Sequence, residues 1–339
     1  MNAEITRLPI LVLDPHARCN CRCVMCDIWK TTDAREISVA ELERHLGAIE
    51  RLGVEWVVFS GGEPLLHSDL FQLARRLRRS GIRTTLLSTG LLLERHAARV
   101  AEDIDDVIVS LDGPPDVHDQ IRRVPGAFQR LAAGVRALEQ RRPGYPVAAR
   151  CTVQALNAQH LRATVETARQ LGLRALSFLA ADLSSTAFNR PEPWPAQRQA
   201  SIAPDPAVLE QEVEALIAAY PSDGFVAERP EKLRRLVAHF RAHQGLEPHV
   251  APRCNAPWVS AVIEPNGDVR PCFFHPPVGN LSAVALDEVV NGPRAVAFRQ
   301  NLRVADNPIC QQCVCSLHWE PRGESLPKPG TEVAAEQRG

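Results

Sequence analysis

Four thiols stand within eight residues at Cys19-Asn20-Cys21-Arg22-Cys23-Val24-Met25-Cys26, a density for which core packing has no use. Three of them form Cys19-x3-Cys23-x2-Cys26. Iron-sulfur clusters kept only for electron transfer usually take four cysteines, and closed zinc sites also need four ligands. A set of three therefore leaves a coordination position free for substrate. Two other readings use the same residues: Cys23-x2-Cys26 suits a redox dithiol, and the addition of Cys21 closes a small zinc site. In the three-ligand reading Cys21 is a spectator thiol in the loop. A second group comes much later: Cys254, Gly267 and Cys272, then Cys310-Gln311-Gln312-Cys313-Val314-Cys315. Four of these thiols close either a tetrahedral zinc site or a [4Fe-4S] cluster, with Cys313 or Cys315 as the fourth. Cys151, inside an apolar run, reads as a core residue.

The chain around these groups has 339 residues, with 39 Lys and Arg against 40 Asp and Glu. Such a length calls for one large α/β barrel with an appendage, or for two domains. The charge balance offers nothing to nucleic acid or to an anionic membrane. No signal peptide precedes the first strand, and no stretch approaches eighteen consecutive apolar residues. A cytoplasmic protein is expected, in which ten clustered cysteines are metal ligands or reactive thiols rather than a disulfide framework.

Short apolar runs alternate with amphipathic ones, the pattern of a parallel α/β architecture. Strands are expected at 10–14, 56–60, 84–88, 107–111, 147–153 and 175–180. Helices are expected at 39–52, 69–79, 94–102, 127–141 and 161–171. Six strands with five helices make a partial (β/α)6 barrel, spanning 1–182, with its chemistry on the loops after the strands. Prolines mark 183–251 as a linker segment carrying helices at 208–219 and 231–243. Asn266-Gly267-Asp268 between Val262-Ile263 and Val269-Arg270 signals a β-hairpin within a C-terminal unit at 252–320. The polar stretch 321–339 reads as a disordered tail.

Several strand ends carry polar motifs. Ser60-Gly61-Gly62-Glu63-Pro64 follows strand two, where glycines permit a backbone shape and a close approach denied to other residues. Ser88-Thr89-Gly90 follows strand three and either lines a ligand or caps the next helix. Ser110 and Asp112 point to one side of strand four. Arg122 offers a planar fork for a carboxylate, and Arg150 on strand five is an alternative.

In combination these motifs resemble the radical S-adenosylmethionine (SAM) superfamily. The resemblance covers roughly 8–182 and 252–317. It implies a [4Fe-4S] cluster on Cys19, Cys23 and Cys26 whose open iron chelates SAM. Gly61, Gly62, Glu63, Pro64, Ser88, Ser110, Asp112 and Arg122 would then contact the SAM cofactor. The spacing Cys254-x12-Gly267-x4-Cys272 with Cys310-x2-Cys313 is similar to a Twitch or SPASM auxiliary domain, which implies a second, auxiliary [4Fe-4S] cluster rather than zinc.

For such enzymes a reductant such as flavodoxin or ferredoxin delivers one electron, SAM is cleaved to a 5'-deoxyadenosyl radical, and that radical removes a hydrogen atom from substrate. The auxiliary cluster accepts the electron left behind. Only eighteen residues precede Cys19, whereas peptide-modifying members often carry a leader-binding domain there. The first expectation is therefore a small-molecule substrate, with a peptide maturase second. Outside enzymes, the alternative is a non-catalytic iron-sulfur or zinc binding module, which the intact Gly61-Gly62-Glu63 opposes. His118, His160, His249, His275 and His318 are general-base candidates by type alone, and no catalytic acid or base is assigned.

Overall fold

The computed structural model describes residues 2–220 and 224–320. Its first half alternates strand and helix: β1 (Ile10–Leu13), α1 (Val39–Arg51), β2 (Trp56–Phe59), α2 (Leu70–Arg79), β3 (Arg83–Ser88), α3 (Leu93–Asp103), β4 (Asp106–Ser110), α4 (Pro115–Arg122), α5 (Ala127–Arg141), β5 (Val147–Val153), α6 (Leu161–Gln170) and β6 (Leu176–Ala180). The second half holds α7 (Ala196–Ile202), α8 (Pro206–Ala219), α9 (Pro230–His243), α10 (Ala256–Val259), β7 (Ser260–Ile263), β8 (Asp268–Arg270), β9 (Gly279–Asn280), α11 (Leu286–Val290), α12 (Pro293–Asn301) and α13 (Pro308–Gln311). The expected strands and helices form within a residue or two of their predicted bounds. Among the described residues α4, α7 and the short helices α10 to α13 were not anticipated; α4 starts at a proline that presets the first turn, and α7 lies in the proline-rich linker. The tail expected at 321–339 lies outside the described residues.

β1 to β6 are parallel neighbours in chain order, as a partial barrel requires. The C-terminal unit does not stand apart from them. β7 pairs in parallel with the free edge of β1, Ile10 beside Ser260 and Leu13 beside Ile263, and β8 and β9 continue antiparallel. One nine-stranded sheet results. β1 thereby becomes a central strand, and its run Ile10-Leu11-Val12-Leu13 suits burial on both faces.

Side-chain alternation divides the strands into two faces. Ile10, Val12, Ile108, Arg150, Leu179 and Val262 line one central cavity of about 700 Å³. Leu11, Leu13, Val57 and Phe59 bury the other face under the helices. α1 begins at a capping box in which Ser38 and Glu41 satisfy each other's backbone N–H. α9 packs against β6 on the side that the partial barrel leaves open. Among the described residues no helix is long and apolar enough to cross a membrane.

The glycine turn after β2 is clamped to the chain leaving β1. Gly62 and Glu63 donate their backbone N–H groups to the carbonyls of His16 (3.4 Å) and Arg18 (2.8 Å). A β-carbon on Gly62 would sit 2.0 Å from the Arg18 carbonyl oxygen, and one on Gly61, at φ +89°, 2.6 Å from that of His16. The glycines are thus needed to let the protein's own backbone approach. Gly62→Ala is expected to push the cysteine loop off the sheet at a cost of about 3 kcal/mol, the upper end of overpacking. Thermal unfolding and iron counts after reconstitution check this; an unchanged melting temperature with full iron would overturn the clamp.

Candidate iron-sulfur and SAM site

Cys19, Cys21, Cys23 and Cys26 lie on the loop leaving the C-terminal end of β1. The loop is laced to the end of α4: Arg22 and Val24 donate their N–H groups to the carbonyls of Arg122 (3.2 Å) and Ile121 (3.0 Å). Its base is held by His16. Arg18 N–H donates to His16 Nδ1 (3.1 Å), which places the ring proton on Nε2, facing the Glu63 carbonyl at 3.0 Å. Burial pushes His16 down to about 4, so it stays neutral. No sequence signal marked it, because its role depends on Glu63, in a turn 47 residues away.

Cys19, Cys23 and Cys26 act on one another electrostatically. Burial pushes Cys19 up to about 11 and Cys26 up to about 12. Cys23 moves the other way, to about 7: a hydrogen bond from Cys21 favours its thiolate, burial opposes, and Arg122 adds a positive charge. Arg122 Nη1 lies 3.5 Å from Cys23 Sγ, and Ile28 N–H donates to Cys26 Sγ at 3.4 Å. Cys21, expected as a spectator, is buried and donates to Cys23. Three thiols with N–H donors and a guanidinium aimed at sulfur suit an anionic sulfur-ligated group.

Around this loop the structure gathers the expected cofactor residues, in part onto one another. Glu63 is fully buried and caps the turn at Pro64. It accepts from Leu65 N–H (3.1 Å), Ser88 Oγ (3.1 Å), Thr89 N–H (2.7 Å) and Thr89 Oγ1 (2.6 Å), bracing β2 against β3. Asp112 accepts from Thr152 N–H (2.9 Å) and pairs with Arg122 at 2.5 Å. Expected as separate SAM contacts, these two residues meet each other. Ser110 lies beside Arg150 on the cavity face, and Arg150 Nε bonds Ser177 Oγ at 3.2 Å.

Polar groups missed by sequence reading complete the mouth. Gln154, directly after β5, is fully buried with both amide atoms unpartnered, and Asn20 Nδ2 is buried likewise. Buried amides without partners are costly and rare, and at this mouth they fit a polar ligand such as SAM. Asp14, at the end of β1, has a buried and unpartnered Oδ1. Burial, with Glu264 adding to it and Arg270 opposing, pushes Asp14 up to about 8.

The second group is built from distant segments. Cys254 precedes α10, Cys272 follows β8, and Cys310 and Cys313 flank the end of α13, which Asn307 caps. All four line the central cavity beside Trp56, Arg83 and Asp106, the residues that open β2, β3 and β4. Cys315 lines it too, and its carbonyl accepts from Cys313 Sγ at 2.8 Å. Cys310 and Cys313 both feel the charges of Cys254 and Cys272. His275 Nε2 lies 3.4 Å from Cys310 Sγ. As they stand, no three His, Cys, Asp or Glu side chains among the described residues converge as on a single ion; the ligands of a cubane sit on separate irons and need not converge.

Comparison with known proteins agrees with this geometry. Residues 14–169 match the Radical SAM superfamily, and residues 254–314 match SPASM, an iron-sulfur cluster-binding domain. The chain thus carries a radical SAM domain followed by a C-terminal SPASM-type iron-sulfur domain. The first domain implies a [4Fe-4S] cluster with SAM, and the second implies auxiliary iron-sulfur binding. An AdoMet-dependent heme synthase of Methanosarcina barkeri is 33% identical over 161 residues, 46% of each chain. A PqqA peptide cyclase of Ruegeria pomeroyi is 28% identical over 272 residues, 78% of this chain and 67% of that one. Against the heme synthase and a pre-heme d1 synthase, the match spans less than half the relative's length. Among solved structures, Streptococcus suis SuiB bound to its precursor peptide SuiA superposes with a TM-score of 0.64 at 15% identity, over 92% of this chain and 72% of that one. AdoMet-bound anSMEcpe gives 0.64 at 17%, over 90% and 86%; both show the shared fold.

Two outcomes follow from the site. Replacing Cys272 by Ala should remove about four irons per chain from reconstituted protein, one cubane's worth, while the first cluster's absorbance persists; unchanged iron would refute the ligand assignment. For Asp14, the unfolded chain loses the proton near its ordinary value of 3.8, whereas the folded chain keeps it to about 8. Stability therefore falls as pH rises through that window. Asp14→Asn removes this loss, so its stability relative to wild type should climb between pH 4 and 8 and then level off in denaturant titrations.

Proposed function

We propose that this protein is a radical SAM oxidoreductase acting on a small molecule held in the barrel cavity between the two cysteine groups. The observation that supports it most is their placement. The first group lies beyond the C-terminal end of β1, while the second lines the cavity beside the residues that open β2, β3 and β4. From Ile10 to Asp14 the strand advances only ~13 Å, so one substrate can lie between both. When bound, the cofactors supply a 5'-deoxyadenosyl radical that removes a hydrogen atom from substrate and an auxiliary cluster that accepts the remaining electron.

The chain's own residues bind, orient and exclude water. Gln154 presents a free amide, and Asn20 a free Nδ2, to SAM. Arg122, fixed by Asp112, holds positive charge beside Cys23. The cavity wall of Ile10, Val12, Ile108, Leu179 and Val262 keeps solvent from the reacting carbon. Asp14 holds a proton on the same strand face as Ile10 and Val12. The cavity volume lies within the range of small-molecule sites. A peptide substrate is the second reading, favoured by the match to PqqA peptide cyclase over most of the chain. A cytoplasmic setting with a flavodoxin- or ferredoxin-type reductant accompanies either reading, because the free thiols need a reducing compartment.

The test is anaerobic reconstitution with iron and sulfide, followed by dithionite and SAM. About eight irons per chain, two cubanes, with 5'-deoxyadenosine formed is the expected result. No deoxyadenosine from iron-replete protein would overturn the enzyme reading. Deoxyadenosine lost in Cys23→Ala but retained, uncoupled, in Cys272→Ala would separate the roles of the two groups.

A further inference from the structure

Outside both cysteine groups, one buried cluster of titratable side chains has no part in the function above. His239 and His243 lie one turn apart on α9, and His249 follows the turn at Gly245, whose φ is +73°. Two histidines at i and i+4 share a helix face, a spacing that chelates metal. The reversal behind them brings the third ring back. Ring centroids stand 6.0 Å apart for His239 and His243, 6.0 Å for His243 and His249, and 6.4 Å for His239 and His249.

The proton positions follow from the neighbours. Gln199 donates its amide N–H to the Trp194 carbonyl, so its oxygen is the atom facing His243 Nε2, at 2.8 Å. Nε2 therefore carries the ring proton, and Nδ1 keeps its lone pair. That Nδ1 is buried without a partner, and so is His239 Nε2. Burial, reinforced by His243, Arg235 and His249, pushes His239 down to about 3. Burial lowers His243 and His249 as well. The rings are thus neutral at pH 7 and available as donors, and the hydrogen bond from His243 to Gln199 is the outer contact that orients a metal-bound imidazole.

We propose that His239, His243 and His249 hold one divalent transition-metal ion of the zinc class, with a fourth position open to water. A tetrahedral ion with nitrogen at about 2.0–2.1 Å sets imidazole centroids about 5 Å apart. The rings stand about 1 Å wider than that, and as they stand the three do not form a metal-holding set, so binding an ion requires them to draw together by about that distance. Bound there, the ion removes the desolvation left uncompensated at two buried nitrogens. It also pins the approach to Cys254, five residues beyond His249, onto the helix whose Arg235 donates to the Cys313 carbonyl at 2.8 Å.

Reconstituted holoenzyme, its cysteines occupied by iron and sulfide, is titrated anaerobically with Co²⁺ alone. Uptake of one ion per chain is expected, with ligand-field bands, no thiolate-to-cobalt charge transfer, and displacement by Zn²⁺. His249→Ala, at a half-buried turn position, should weaken uptake at least tenfold with the iron count unchanged, and His243→Gln should do the same. No uptake by wild type, uptake showing thiolate charge transfer, or equal uptake by His249→Ala would each overturn the site.

Discussion

The pairing of β1 on both edges is the constraint on which the rest depends. Four residues, Ile10 to Leu13, meet β2 on one side and β7 on the other, in parallel each time. Parallel pairing fixes direction as well as register. All three strands therefore point their C-terminal ends the same way, and the loop leaving β1 must emerge beside the glycine turn leaving β2. The chain entering β7 must come from the opposite end, and there it carries Cys254. A one-residue slip of β1 would turn Ile10 and Val12 away from the cavity and Leu11 and Leu13 into it. The second cysteine group is thus held on the cavity, and the first beyond the C-terminal end of β1, by backbone hydrogen bonds rather than by contact with each other.

Burial governs the chemistry at the first group. Thiols removed from water resist losing protons, as Cys19 and Cys26 show, and among these three ligands the structure outweighs this at Cys23. Cys23 has Cys21 donating to it and Arg122 beside it. Arg122 is itself buried and needs a counter-charge, which Asp112 supplies at 2.5 Å. Removing Asp112 would leave a buried guanidinium with only sulfur for partner, a larger penalty than the loss of one hydrogen bond. The ion pair therefore reads as an extension of the sulfur site rather than as a free ligand hook.

Much of this was legible in sequence, for local reasons. The cysteine spacing, the alternation of apolar runs and the Asn266-Gly267 turn each depend on a few neighbouring residues. The glycines after β2 were read as ligand-approaching, while their immediate neighbours are the carbonyls of His16 and Arg18; only the fold brings those together. Pairing of β7 with β1 joins segments 250 residues apart, and four residues in each, apolar but for Ser260, carry no mark of their partner. Gln154 and Asn20 are ordinary amides in sequence. What singles them out is buried amide atoms left without a partner, both of Gln154's and the Nδ2 of Asn20, a property of the whole structure.

The cavity has two characters, and the strand alternation explains both. Toward the entry of the strands the cavity sets its aliphatic wall beside thiols and beside Trp56, Arg83 and Asp106, while beyond it, at the exit, the same alternation brings up Asp14, Ser110, Thr152, Gln154 and Glu264. An apolar wall confines a reactive radical because it offers few polar groups and little water. A polar mouth suits a charged cofactor for the opposite reason. A substrate spanning both must turn its reacting carbon toward the polar exit and its body toward the thiols. On that geometry, exchanges among Ile108, Leu179 and Val262 would alter which body fits, while Asp14 and Gln154 would alter whether the cofactor end is ordered at all.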